Sequence, residues 1–269
     1  MILLGLILLA GCAQVQSTLP PVPTPAAEVR ADFEKYFQAL KVNGAFVVYD
    51  QNHNHFIRYN PDRCAQRFLP ASTFKVLNAM IGLESGVIPD ADYVIKWDGT
   101  PSPIAAWNQD HTLRSAVKNS VVWYFQELAR RVGREKMQHY VDAVGYGNRN
   151  ISGPIDSFWL DGGLRISPDE QIDFLRRLYN NQLPFSPRTL QIDKDIIVLE
   201  KTATYTLSAK TGWADRVTPQ IGWFVGYVET NGNVYFFVTN FESSAPDSNF
   251  GITGKQITRS ILQDLAVLK

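Results

Sequence analysis

Pro70-Ala71-Ser72-Thr73-Phe74-Lys75 runs into Val76-Leu77-Asn78-Ala79-Met80-Ile81-Gly82-Leu83-Glu84, a stretch apolar on nearly every side. That pattern predicts a helix over 73–84, buried all round and stopped by Gly86. In a helix the Ser-x-x-Lys spacing places both side chains on one face, a turn apart. Ser72 then sits at the helix start, where its backbone N–H lacks an intrahelical acceptor and can donate to a developing oxyanion. Serine is a poor nucleophile until a base takes its proton. An apolar setting lowers the pKa of Lys75 and favours the neutral amine. Alone the motif is weak, because a helix cap at Ser72 and a surface charge at Lys75 explain it equally well.

Outward from this helix, the N-terminal side reads as a helix over 31–40 and strands over 44–50 and 56–59. The two strands are joined by the polar turn Gln51-Asn52-His53-Asn54. Helices follow over 115–128, 135–144 and 168–179, with Ser167 as N-cap of the third. The chain returns to strands over 204–210, 221–229 and 234–240, with Asn231-Gly232 as a hairpin turn, and closes on a helix over 257–268. Strands at both ends and helices between predict an α+β fold. One antiparallel sheet is built from both termini, flanked by helices, with an inserted helical region.

Two further motifs change the reading of the first. Ser120-Val121-Val122 lies inside the predicted 115–128 helix, and Lys210-Thr211-Gly212 ends a predicted strand. Ser120 can relay a proton between nucleophile and leaving nitrogen. Lys210 and Thr211 can hold a substrate carboxylate, and Gly212 lets substrate lie along the strand. The plainer alternatives are a serine bonded to a helix carbonyl and a strand-end turn. All three motifs in this order are the arrangement of penicillin-recognising serine enzymes.

The sequence resembles the class D serine β-lactamases, the oxacillinase family. The resemblance rests on Pro70-Ala71-Ser72-Thr73-Phe74-Lys75, Ser120-Val121-Val122, Tyr146-Gly147-Asn148, Phe158-Trp159-Leu160-Asp161-Gly162, Lys210-Thr211-Gly212 and Ile221-Gly222-Trp223-Phe224-Val225-Gly226. It implies β-lactam hydrolysis through an acyl-enzyme on Ser72, and hence β-lactam resistance. It also implies a carbamate on Lys75 (N6-carboxylysine), formed with CO2 and acting as general base. Phe74, Val122 and Trp159 would line a dry pocket around it, with the Trp159 N–H donating. The backbone N–H of Trp213 would join that of Ser72 in the oxyanion hole, and Tyr146-Gly147-Asn148 would shape the site wall. One departure stands out: Gly254 occupies the place where the family usually has an arginine for the substrate carboxylate. Lys255, adjacent, and Arg216, in the loop 213–220, are the replacements, although lysine lacks the bidentate fork of arginine. That loop resembles its counterpart in carbapenem-hydrolysing members, which implies weak carbapenem turnover; Asp161 is a candidate partner for Arg216. The rival activities are a non-hydrolysing penicillin sensor and a D,D-peptidase.

Composition limits the remaining classes. The 269 residues carry 26 basic and 26 acidic side chains, a balance that argues against nucleic-acid binding. Two cysteines, Cys12 and Cys64, exclude a disulfide scaffold and a four-cysteine metal site. The histidines lack zinc spacing, so no metal and no cofactor beyond CO2 on Lys75 is expected. Residues 1–12 read as an export signal whose Leu9-Ala10-Gly11-Cys12 resembles a lipobox, with lipidation at Cys12 as a membrane anchor. Residues 13–29 read as a proline-rich tether and 30–269 as the catalytic domain, which places the protein in the periplasm. Cys64 reads as a small buried hydrophobe. Monomer and homodimer stay open.

Overall fold

The structure, a computed structural model, describes residues 25–243 and 250–268. Cys12, read as the lipidation site, the stretch 1–12 read as an export signal and most of the expected tether lie outside them. Seven strands form the main sheet: β1 (Ala26–Val29), β2 (Asn43–Asp50), β3 (His55–Tyr59), β6 (Val198–Lys201), β7 (Tyr205–Ala214), β8 (Gln220–Thr230) and β9 (Asn233–Ser243). Their order is β1-β3-β2-β9-β8-β7-β6. β4 (Val94–Ile95) and β5 (His111–Thr112) make a separate pair. The N-terminal strand β2 therefore lies beside the C-terminal strand β9, as the sheet built from both termini requires. The sheet is antiparallel except at one edge, where β1 pairs parallel to β3. This edge strand falls within the stretch read as tether. Its four residues are all exposed, so it adds backbone hydrogen bonds and no core.

The period-two alternation of the strands divides the core in two. Phe46, Val48, Phe224, Val228, Phe237 and Phe241 face a layer made by α1 (Glu34–Gln38) and α9 (Phe250–Asp264). Val47, Tyr49, Trp223, Val225, Tyr227, Phe236 and Val238 face the helical insert. The β8–β9 hairpin turns on Asn231 and Gly232, both at positive φ, as a two-residue turn demands.

The insert carries α2 (Pro61–Ala65), α3 (Lys75–Glu84), α4 (Leu113–Lys118), α5 (Val122–Val132), α6 (Arg134–Val144), α7 (Pro168–Tyr179) and α8 (Pro187–Ile196). α3 is buried along its length and is preceded by a 3-10 turn, Ala71–Phe74. α7 opens on a capping box between Ser167 and Glu170. The helix expected over 115–128 is two helices. The break falls at 119–121, with Ser120 at φ 53°, so Ser120 is a loop residue. β7 continues through Lys210-Thr211-Gly212, so these residues lie inside a strand and not at its end. α2, α8 and β6 answer to no sequence expectation. The helix expected over 31–40 is a 3-10 turn followed by the five-residue α1. The closing helix begins at Phe250, earlier than the 257 expected.

Candidate active site

Ser72 projects from the tight turn ahead of α3. Ala71, just before it, takes φ 48°, a conformation that costs a non-glycine residue about 1–2 kcal/mol. The turn is held on both sides. The Ala71 N–H donates to the Trp159 carbonyl at 3.0 Å, and Thr73 Oγ1 donates to the Pro70 carbonyl at 2.7 Å. Gln171 Nε2, from α7, donates to Thr73 Oγ1 at 2.9 Å.

Lys75 is wholly buried. Its Nζ donates to the Ser120 carbonyl at 2.6 Å and to Ser120 Oγ at 3.0 Å, and lies 2.8 Å from Ser72 Oγ. It has no carboxylate partner among the described residues. Burial, then the neighbouring Lys210 charge, hold the amine well below the usual lysine range. A neutral amine keeps a lone pair, so at 2.8 Å it is placed to take a proton from Ser72.

The break between α4 and α5 delivers Ser120 to the same point. Ser120 Oγ accepts from Lys75 Nζ and from Lys210 Nζ, both at 3.0 Å. Its own proton stays free to be passed on. Lys210, only 5% exposed, also donates to the Thr211 carbonyl at 3.1 Å. Burial and the Lys255 charge push Lys210 down to about 7. Gly212 has a stricter reason than room for substrate. A Cβ there would lie 3.0 Å from Thr73 Cγ2 and 3.1 Å from the Pro70 carbonyl, so a larger residue would press β7 away from the Ser72 turn.

A cleft of about 340 Å³ joins Ser72, Ser120, Thr211, Gly212, Trp213 and Arg216, with Trp107, Val122 and Leu160 as apolar walls. Leu160 appears in the sequence only as part of a motif; its place in the wall depends on the loop fold and leaves no local signal. Beneath the cleft, Phe74 stacks on Trp159 at 5.5 Å and meets Phe158 edge-on at 5.2 Å. Trp159 Nε1 is buried and has no hydrogen-bond partner among the described residues. A buried N–H donor without an acceptor is costly. The orphaned donor fits the carbamate expected on Lys75, which would bring an acceptor oxygen to this pocket. Tyr146-Gly147-Asn148 is structural: Asn148 Nδ2 donates to the Gly163 carbonyl at 2.9 Å, and Asn148 Oδ1 accepts from the Arg165 N–H at 2.9 Å.

The two candidate carboxylate anchors part company. Arg216 lines the cleft but binds Asp161 at 2.5 Å, the partner proposed from sequence. Lys255 lies beside Lys210 in an adjoining hollow. A Cβ added to the native Gly254 would lie 3.1 Å from Phe224 Cβ and 3.2 Å from Phe241 Cε1, so a side chain there would require Phe224 or Phe241 to shift by a few tenths of an ångström. Cys64 is buried, and its Sγ donates to the carbonyls of Phe46 and Tyr59. His53 binds Asp50 at 2.8 Å in its turn. No group of three or more metal-ligating side chains occurs among the described residues. No helix among them is long and apolar enough to cross a membrane.

A serine on a strained turn, met directly by one buried lysine that a second serine links to another, neither lysine ion-paired among the described residues, is built for acyl transfer, and the fold around it is that of the penicillin-recognising serine enzymes. The family model of the penicillin-binding protein transpeptidase domain matches residues 42–263. β-Lactamase OXA-48 of Klebsiella pneumoniae is 44% identical over 234 residues, 87% of each chain. A crystal structure of the class D β-lactamase YbXI from Nostoc has a TM-score of 0.85 at 45% identity, covering 89% of this chain and all of that one. The regulatory protein BlaR1 of Bacillus licheniformis is 39% identical over 86% of this chain, but over only 38% of its own length. The chain belongs to the class D β-lactamases and is a serine β-lactamase of that family.

Proposed function

We propose that the enzyme opens β-lactam rings by acylation of Ser72 and releases the product by hydrolysis, and so confers β-lactam resistance. The observation that carries this is the wholly buried Lys75, with Nζ 2.8 Å from Ser72 Oγ and no acid partner among the described residues. Ser72 Oγ attacks the lactam carbonyl as its proton leaves toward Lys75. The carbonyl oxygen gathers charge at the backbone N–H groups of Ser72 and Trp213. The C–N bond breaks, and the ring nitrogen takes a proton from Ser120 Oγ, which is resupplied by the lysines on either side. Water then attacks the ester and returns the serine proton. A carbamate on Lys75, when present, supplies a carboxylate-type general base for both half-reactions. Phe74, Val122 and Trp159 would keep its surroundings dry, and Trp159 Nε1 would donate to it. Thr211 and Lys210 hold the substrate carboxylate, with Lys255 behind them. Arg216 serves mainly to tie the β7–β8 loop to Asp161.

Turnover of a chromogenic cephalosporin tests this reading. Many turnovers per enzyme, faster with added bicarbonate, are expected. One stoichiometric burst would instead indicate a sensor of the kind BlaR1 is named for, and release of D-alanine from peptides a D,D-peptidase. The Arg216–Asp161 tie supports a further part of the proposal, slow carbapenem hydrolysis; a permanently trapped imipenem acyl-enzyme would sink it. We also propose export to the periplasm with a lipid anchor at Cys12. Full-length protein should partition into detergent, and Cys12→Ser should abolish that.

A further inference from the structure

A second hollow, of about 300 Å³, adjoins the cleft and shares only Thr211 of its lining with it. Its walls come from α4, the α8–β6 corner, β7 and α9. Four basic residues meet there, Arg114, Lys118, Lys210 and Lys255, against one acid, Asp195. That acid accepts from Gln191 Nε2 at 2.9 Å and keeps its charge, so the cations outnumber it. Arg114 lies 3.6 Å from Asp92, an acid 77% exposed, so the contact is screened by solvent. Lys118, Lys210 and Lys255 have no ion pair among the described residues. The hollow is thus a concave positive field that the protein does not itself neutralise.

We propose that this hollow binds a free, doubly charged oxyanion of the phosphate class, with Arg114 and Lys118 as its own ligands, separate from the place where the substrate carboxylate sits. The size fits: the hollow has room for roughly ten waters, enough for one tetrahedral oxyanion and its remaining hydration. The charge fits a dianion better than a monoanion, because three cations line the hollow besides Lys210. Val117, Ile196 and Phe224 supply apolar wall between the cations. The anion would lie along the wall that carries Lys210, whose Nζ reaches Ser120 Oγ.

Calorimetric titration with inorganic phosphate at constant ionic strength tests the proposal. It reads binding and not turnover, so its result stands whatever becomes of the hydrolytic reading. Saturable one-site binding is expected in the wild type. Arg114→Gln with Lys118→Gln should weaken it about ten-fold or more, since each removes a full charge from a partly enclosed site. KM for benzylpenicillin, a monoanion, should stay within about two-fold, because neither residue touches the acylation cleft. Should the double variant fail to fold, Lys118→Gln alone carries the same comparison. Absence of saturable binding overturns the proposal. So does unchanged phosphate affinity in the variant, the mark of an ion held only where the substrate carboxylate sits.

Discussion

Lys75 and Trp159 are each anomalous for a buried side chain: one is a lysine with no carboxylate partner among the described residues, the other an indole N–H with no acceptor among them. One small acid group on Lys75 would answer both, and three predictions follow at this scale. Lys75→Ala should lower kcat/KM by about 10²–10⁴-fold, the span of general-base catalysis. Bicarbonate should raise the Tm of the wild type, because a ligand that binds only the folded state stabilises it, and should leave Lys75→Ala unmoved. A bicarbonate-indifferent Tm in both, with no ¹³C carbamate signal, would remove CO2 from the reaction. Trp159→Phe keeps the ring stacked on Phe74 and deletes only the N–H. It should slow deacylation more than acylation, so that acyl-enzyme accumulates in the mass spectrum. Equal slowing of both steps would make Trp159 a packing residue.

Among the elements, the decisive relation is that of β7 to the turn before α3. Gly212→Ala should cost about 1–3 kcal/mol in stability, the usual penalty of overpacking, and should lower kcat/KM together with it. The new methyl presses on Thr73 and Pro70 and moves the strand away from Ser72. Unchanged denaturation midpoint and activity would show that strand and turn give way freely. The same relation explains what could be read in advance. The three motifs and the two-ended sheet were legible because they depend on local spacing and on period. The geometry that joins them was not. Ala71 and Ser120 stand at positive φ without being glycine, so nothing in their identity announces a turn. Apolar periodicity runs on through 119–121 and hides the break between α4 and α5. Gly212 was read as a strand end, because glycine usually interrupts a strand; here it permits a close approach inside one. β1 was concealed by the prolines before it, and its pairing with β3 has no local signature.

The whole molecule places its chemistry where the two-ended sheet meets the helical insert, and that seam is dry enough to alter the protonation of the lysines buried in it. Lys75 and Lys210 are lowered in the folded state. Between their folded values and the ordinary 10.5 the unfolded chain binds more protons, so both make stability rise with pH. Asp193 on α8 acts in the opposite sense. It is wholly buried, neither carboxylate oxygen has a partner among the described residues, and burial raises it well above its ordinary 3.8. Above that value the unfolded chain loses this proton and the folded chain keeps it. The contribution of Asp193 to stability is therefore whole below 3.8 and declines as pH climbs toward the raised folded value. A neutral side chain of the same shape escapes that decline. Asp193→Asn should be more stable than the wild type at pH 8. The gap should widen by about 1.4 kcal/mol for each pH unit above the ordinary carboxylate range, until the folded carboxyl itself ionises. Taking the difference between variant and wild type at each pH cancels the two lysines, which both proteins share. kcat should not move, because Asp193 lines neither the cleft nor the hollow beside it. Urea midpoints at pH 5, 6, 7 and 8 measure the gap. A gap of constant size across that range would mean that the folded carboxyl is already ionised and held by a partner.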